Sequence, residues 1–206
     1  MYPIVDHEVL APRVHRLRVQ APVVAEKAKP GQFVILIIDE KGERVPFTIS
    51  DWDTAAGTVD FVFIEVGKTT QQLATLRPGD ALLSFIGPLG RPAEVDHYGH
   101  VVSVLSGYGL AAMVPILKAL KEKGNTLTTI VQAPDPERLF GQKPLEELSD
   151  NLIYALGTKG DGMMESTTVA MRKLLQQHPR RRIDRVIAMC SLCLMRVLSE
   201  MTRPYA

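Results

Sequence analysis

The sequence predicts two domains in series: an antiparallel β-barrel over residues 1–98 and a doubly wound α/β unit with a parallel sheet over residues 99–206. Three observations lead there. The chain has 206 residues, which suits two compact units of about 100 residues each better than one small core. Its first half is built of short alternating segments, with glycine and proline turns about every 8–12 residues. From Gly99 on, β-branched apolar segments take turns with helical stripes, the rhythm of a parallel sheet.

Composition narrows the function classes. Lys and Arg total 24 against 23 Asp and Glu, so no bulk positive charge marks a nucleic-acid binder. No apolar run of about 18 residues exists to span a membrane. Met1-Tyr2-Pro3-Ile4-Val5-Asp6-His7-Glu8 lacks the basic stretch and apolar run of a secretory signal. The two cysteines, Cys190 and Cys193, make no disulfide framework. A cytoplasmic setting is the expectation.

In the first half, Val14, Leu17 and Val19 alternate with arginines. Pro30-Gly31 turns the chain into Gln32–Ile38, apolar enough to be buried on both faces. Glu40-Lys41-Gly42 turns again, Thr58–Glu65 is another strand, and Pro78-Gly79 introduces a last one over Asp80–Ile86. One helix interrupts them, over Gln71–Leu76. Thr69 or Thr70 can cap it; its N-terminus is either an anion site or a plain capped connector. Gly87-Pro88-Leu89-Gly90-Arg91-Pro92 makes a rigid turn, an exit from the barrel or a wall beside a ring.

The central stretch is Arg44-Val45-Pro46-Phe47-Thr48-Ile49-Ser50. Its alternation is that of a half-buried strand. Arg44 offers a fork for a phosphate, Phe47 an aromatic face and Thr48 a hydroxyl. Pro46 removes a backbone donor, which fits a strand edge or end. An ordinary amphipathic strand has the same pattern.

Taken in order, Pro30-Gly31-Gln32-Phe33, Arg44–Ile49, Val66-Gly67-Lys68-Thr69-Thr70 and Gly87-Pro88-Leu89-Gly90 resemble the ferredoxin–NADP reductase superfamily. Within it the chain is most similar to the flavin subunits of multi-subunit oxidoreductases: NADH-dependent ferredoxin–NADP oxidoreductase, sulfide dehydrogenase and dihydroorotate dehydrogenase. The resemblance implies FAD as cofactor, held by Arg44, Pro46, Phe47, Thr48, Ile49, Val66, Gly67, Lys68, Thr69 and Thr70. Arg44 and Gly67–Thr70 would take the pyrophosphate; Phe47 and Thr48 would lie against the isoalloxazine. It implies an electron-transfer subunit working between NAD(P)H, or a protein donor, and an iron–sulfur cluster in a partner. No catalytic side chain or metal ligand is expected in this chain, since the flavin does the redox chemistry.

The second half reads as strand Gly99–Leu105, helix Leu110–Lys123 with stripe Met113, Ile116, Leu117 and Leu120, and strands Leu127–Gln132, Asn151–Ala155 and Ile183–Met189. Helices cover Ser166–Gln177 and Cys190–Thr202, and Asp161–Met164 is a turn. A glycine turn after the first strand is where a dinucleotide binds; Gly107 and Gly109 are its candidates. Relatives carry a longer glycine run there, an arginine after the second strand, and a Gly-Pro turn at the fourth. This chain has Leu105-Ser106, Gln132-Ala133-Pro134-Asp135-Pro136 and Cys190-Ser191. Those three departures predict weakened or lost nicotinamide binding, and a flavin relay that has lost NAD(P)H is the alternative reading. Cys190-Ser191-Leu192-Cys193 can bind metal, form a redox disulfide or pack. Longer relatives carry cluster cysteines in a tail beyond this point, so no iron–sulfur cluster is expected here. Arg180-Arg181-Arg182 is a solvated loop or a docking patch. A non-catalytic assembly subunit and a stand-alone NAD(P)H–flavin reductase are further alternatives. His7, His15 and His97 read as surface or packing residues.

Overall fold

The computed structural model describes residues 1–107, 109–134, 141–157, 161–176 and 183–205. The chain divides into two compact units, with the boundary between Glu94 and Val95.

The first unit holds β1 (Tyr2–Ala11), β2 (Val14–Gln20), α1 (Pro22–Lys27), β3 (Phe33–Ile37), β4 (Val45–Asp53), β5 (Thr58–Ile64), α2 (Lys68–Thr75), β6 (Ala81–Leu82) and β7 (Ser84–Leu89). The strands form one antiparallel sheet in the order β6-β1-β2-β5-β4-β3-β7. Its two edge strands, β6 and β7, are separated in sequence by Leu83 alone. The sheet must therefore curl until its edges meet, giving the nearly closed barrel the sequence predicted. Leu17, Val34, Ile49, Phe61 and Phe85 point inward from five strands, all at most 1% exposed. Val24 and Ala25 of α1 and Leu73 of α2 complete that core.

Several sequence expectations need correction here. β1 was not foreseen: only Ile4 along it is fully buried, and two register shifts, at Ile4/Asp6 and Val9/Ala11, break its alternation. There are two helices, not one; Pro22, which fixes φ near its helical value, starts α1. Gln32–Ile38 is not buried on both sides: Val34 and Leu36 enter the core while Phe33, Ile35 and Ile37 stay half-exposed. Asp80–Ile86 is two strands, and Gly87–Leu89 belongs to β7 and not to a turn.

The second unit holds β8 (His100–Ser106), α3 (Gly109–Glu122), β9 (Thr126–Ala133), α4 (Gln142–Leu148), β10 (Asn151–Leu156), α5 (Asp161–Gln176), β11 (Arg185–Met189) and α6 (Leu192–Thr202), with a last 3₁₀ turn at Arg203–Tyr205. All pairings are parallel, in the order β10-β9-β8-β11. Val101, Val102, Val104 and Leu105 are fully buried, as a central parallel strand requires. Ser103 is buried too, and its hydroxyl donates to Thr129 Oγ1 at 3.0 Å. Asn125 closes α3 by donating to Leu120 O at 2.8 Å, and accepts from Tyr98 N at 2.7 Å. α4 was not foreseen. α5 begins at Asp161, so Asp161–Met164 is helix and not a turn. α6 begins two residues after Cys190 because Ser191 caps it, accepting from Leu194 N at 3.4 Å. Arg180–Arg182, Asp135 and Pro136 lie outside the described residues.

Candidate functional site

The site candidates of the first unit gather on one side of the barrel, where β4 begins and α2 begins. Arg44, just before β4, is exposed and makes no ion pair or side-chain hydrogen bond among the described residues. Pro46 and Thr48 point outward and are exposed. Phe47 points the other way, half-buried, with its ring 5.0 Å from Phe61 and 6.1 Å from Phe63. Ile49 is 1% exposed, so its side chain anchors the strand in the core. Across the outward face Thr48 pairs with Phe33, and Phe33 pairs with Leu89. That row gives a flat ligand a largely apolar floor with one hydroxyl in it.

The turn into α2 is built by Thr70. The helix is capped by Gly67, not by Thr69 or Thr70 as the sequence implied. The Thr70 hydroxyl instead reaches back one turn. It accepts from Val66 N at 2.9 Å and Gly67 N at 3.0 Å, and donates to Gly67 O at 3.0 Å. The free donors are then the first-turn N–H groups of Lys68, Thr69 and Thr70, at the positive end of the helix dipole. Val66 is 78% exposed. A Cβ placed on Gly67 would meet nothing within 4 Å, so space stands open in front of these donors. Three N–H groups, the Lys68 ammonium and the unpaired Arg44 guanidinium suit a pyrophosphate.

The sequence missed the groove beside that turn. A cleft of about 660 Å³ runs between the β3–β4 loop and α2, lined among others by Asp39, Lys41, Glu43, Lys68, Thr69 and Gln72. Gln72 Nε2 donates to Asp39 Oδ2 at 2.6 Å and ties the two walls together. That bond, with the Lys41 N–H, holds the Asp39 carboxyl below its ordinary range. The only signal in the sequence was a turn, Glu40-Lys41-Gly42, immediately before Arg44. The residues fit a dinucleotide: phosphates at the helix end, and carboxylate acceptors in the groove for sugar hydroxyls.

Gly107 and Gly109 lie in the second unit, at the carboxyl end of β8. Strand order reverses there, since β9 and β10 lie on one side of β8 and β11 on the other. Gly107 has φ +56° and open space around it. A Cβ on Gly109 would stand 2.8 Å from Met189 O, so its glycine serves close packing. At the neighbouring end of β11, Cys190 is half-buried, Cys193 is exposed and Leu192 is 81% exposed. Burial pushes the Cys190 thiol up. Among the described residues no group of three or more His, Cys, Asp or Glu could hold a metal ion.

An antiparallel barrel with free donors at the start of α2, followed by a parallel sheet with a glycine turn at its reversal point, is the two-domain architecture of the ferredoxin reductase-like fold. Comparison with known proteins gives the family. The chain is 36% identical to a chain of the NADH-dependent reduced ferredoxin–NADP oxidoreductase, a structure solved for its flavin-based electron bifurcation. It covers 98% of this chain and 72% of that one, with a TM-score of 0.86. It is 39% identical to a dihydroorotate dehydrogenase B electron transfer subunit homolog of Thermotoga maritima over 84% of its own length and 61% of the relative's. An uncharacterised protein of Clostridium beijerinckii is 35% identical over 98% of this chain and 71% of the relative. The Plasmodium falciparum ferredoxin–NADP⁺ reductase, 13% identical at a TM-score of 0.78, shares the fold. No family model matches the chain. The chain belongs to the family of that NADH-dependent ferredoxin–NADP oxidoreductase chain. It spans about three fifths of the Thermotoga relative's length. No described helix is long and apolar enough to cross a membrane.

Proposed function

We propose that this chain is the FAD-carrying electron-transfer subunit of a multi-subunit, cytoplasmic oxidoreductase whose partner subunits hold iron–sulfur clusters. The observation that supports this most is the α2 turn: free first-turn donors, open space at Gly67 and an unpaired Arg44 beside a groove. In this reading residues 1–98 bind FAD and residues 99–206 form the nucleotide-binding-like body. Arg44, Lys68 and the N–H groups of Lys68, Thr69 and Thr70 bind the pyrophosphate. Asp39 and Glu43 accept from sugar hydroxyls. Thr48 offers its hydroxyl to the ring system on the Phe33–Leu89 floor, while Phe47 and Ile49 hold β4 in place. FAD, when bound, accepts a hydride or passes single electrons; this chain orients it and sets its electrostatics.

One observation favours a relay without nicotinamide. In the β11–α6 turn the Ser191 hydroxyl already takes a first-turn N–H of α6, and the half-buried Cys190 packs against the core of the unit where a glycine would leave room. Both stand at the reversal point, where a dinucleotide is received in such sheets. An anaerobic titration of the purified protein with NADH and then NADPH separates the readings. Bleaching of the flavin band by either establishes nicotinamide-dependent reduction. No bleaching, with dithionite still reducing the flavin, establishes the relay. A colourless protein that cannot be loaded with FAD overturns both.

A further inference from the structure

Gln32 stands immediately before β3 and is 8% exposed. Its amide oxygen accepts from Lys29 N at 3.0 Å, and its amide nitrogen donates to Gly90 O at 2.9 Å. A backbone N–H only donates and a carbonyl only accepts, so the two partners fix which way the amide faces. The backbone of Gln32 is engaged as well. Its N–H donates to Lys29 O at 3.3 Å, and its carbonyl accepts at 3.0 Å from the N–H of Ile49, the residue after Thr48. One residue thus ties together the turn before β3, the flank of β4 and the chain leaving β7.

Gly90 is where this bracing is needed. β7 ends at Leu89, opposite Phe33, but the register of β3 and β7 shifts between the Phe33–Leu89 and Ile35–Ile86 pairs. A bulge interrupts the ladder there, so backbone pairing holds the last residues of β7 only weakly. The Gln32 amide closes the pair just beyond the bulge. Gly90, at φ +82°, lies directly against the Phe33 ring: a Cβ on it would stand 2.9 Å from Phe33 Cε1. Farther along, Ala93 N donates to Pro30 O at 2.8 Å. The place of the Phe33 ring, and with it the row formed by Thr48, Phe33 and Leu89, therefore depends on where Gly90 is held. The start of α2 is braced separately, by Thr70. Among the described residues no hydrogen bond joins Gln32 or Gly90 to residues 66–70.

We propose that Gln32 is a positioning residue for the ring system of the bound flavin: by holding Gly90 against Phe33, it sets the floor that Thr48, Phe33 and Leu89 present. The inference rests on the FAD reading above. It adds a residue that acts on the ring half of the cofactor, whereas Arg44 and the first turn of α2 act on the phosphate half.

The test compares two ligands on the whole protein, stripped of flavin, by isothermal titration. One is FAD; the other is ADP, which carries the pyrophosphate but no flavin ring. Gln32→Met keeps the length of the side chain and removes both of its hydrogen bonds. Gln32→Glu keeps an acceptor for Lys29 N but sets a carboxylate oxygen against Gly90 O. In both variants the FAD dissociation constant should rise about tenfold, the weight of one buried hydrogen bond. The ADP dissociation constant should stay at the wild-type value. The absorption band of the flavin that still binds should lose its shoulders, because the ring exchanges a fixed apolar floor for water. FAD weakened no more than ADP, or neither ligand weakened, overturns the proposal. Loss of the fold in both variants, seen by circular dichroism, overturns it too, since Gln32 would then serve the barrel as a whole. So does a wild type that binds ADP as tightly as FAD, because the ring then has no site on this floor. A wild type that binds neither ligand instead overturns the FAD reading, and this inference with it.

Discussion

Asp60, only 2% exposed, grips Arg18 with both of its oxygens: Arg18 Nε donates to Oδ1 at 2.7 Å and Nη2 to Oδ2 at 2.8 Å. The pair joins β2 to β5 inside the barrel wall. Arg16 comes within 3.7 Å of the same carboxylate. Burial pushes the Asp60 carboxyl above its ordinary value, against the pull of Arg18 and Arg16. The hydrogen bond to Asp60 in turn raises the Arg18 guanidinium. The two-pronged geometry and the second guanidinium keep the carboxylate charged at neutral pH.

Removing this carboxylate takes both hydrogen bonds from the Arg18 guanidinium, while Arg16 keeps Asp6 and Glu8 at 2.6 and 3.0 Å. Asp60→Ala should lower unfolding free energy by about 2–4 kcal/mol, the cost of breaking a largely buried pair, and urea unfolding measures it. The pH response has a definite sign. A raised carboxyl adds stability that is complete below its ordinary value and is lost as pH climbs through the raised one. Asp60→Asn should remove that falling component. An unchanged pH profile for Asp60→Asn would contradict the raised state.

Asp150 should act in the opposite direction. Burial works upward on its carboxyl, but the Lys121 ammonium at 2.5 Å and the Leu127 N–H at 2.8 Å outweigh it and hold it low. Its contribution is complete above the ordinary carboxyl value and is lost as pH falls through the depressed one. Asp150→Asn should therefore lower stability at neutral pH, where that contribution is complete, and flatten the acid limb of the stability curve. A steeper acid limb in the variant would refute this.

The sequence carried the fold wherever burial followed a simple period. Phe61 and Phe63 alternate cleanly, and Val101–Leu105 is apolar but for Ser103; both segments are strands. β1 hid because bulges shift its register and most of its residues meet solvent. α1 and α4, of 6 and 7 residues, are too short to show a helical stripe. The site was legible as residue types, with Arg44, Thr48 and Gly67–Thr70 standing at the head of β4, on its outward face and at the start of α2. The groove wall at Asp39 and Gln72 was not, because it is made by a tertiary hydrogen bond between residues 33 apart.

The cysteines should differ in reactivity. Cys193 is exposed in the first turn of α6, while Cys190 is half-buried with its thiol pushed up by burial. Thiolate, not thiol, reacts with alkylating agents. Mass spectrometry of the native protein under limiting iodoacetamide should find Cys193 labelled before Cys190. Equal or reversed labelling would show that the turn is more open than this geometry.

Gly109 tests the packing of the reversal point. Any side chain there meets a backbone oxygen, Met189 O, at 2.8 Å, and backbone cannot swing aside as a side-chain tip can. Gly109→Ala should cost about 1–3 kcal/mol by overpacking. The wild-type residue at Gly107 has open space but φ +56°, so Gly107→Ala pays only local strain, about 1–2 kcal/mol. Chemical denaturation of both variants compares them. A neutral Gly109→Ala would mean that α3 and β11 are not in this close contact.

Arg44 and Thr70 form the sharpest pair, because one should act on the ligand alone and the other on the turn itself. Arg44 is exposed and has no partner among the described residues, so Arg44→Ala should leave stability within about 0.5 kcal/mol of wild type. Losing a charged contact to the pyrophosphate should weaken FAD by about 1.5–3 kcal/mol, roughly tenfold to a hundredfold in dissociation constant. Thr70→Val keeps the shape but strips the hydroxyl from two N–H groups and one carbonyl. It should cost about 1–2 kcal/mol of stability and weaken FAD together. Isothermal titration with FAD and urea unfolding on both variants give the four numbers needed. If Arg44→Ala bound FAD like the wild type, the phosphate would have to lie elsewhere than between β4 and α2.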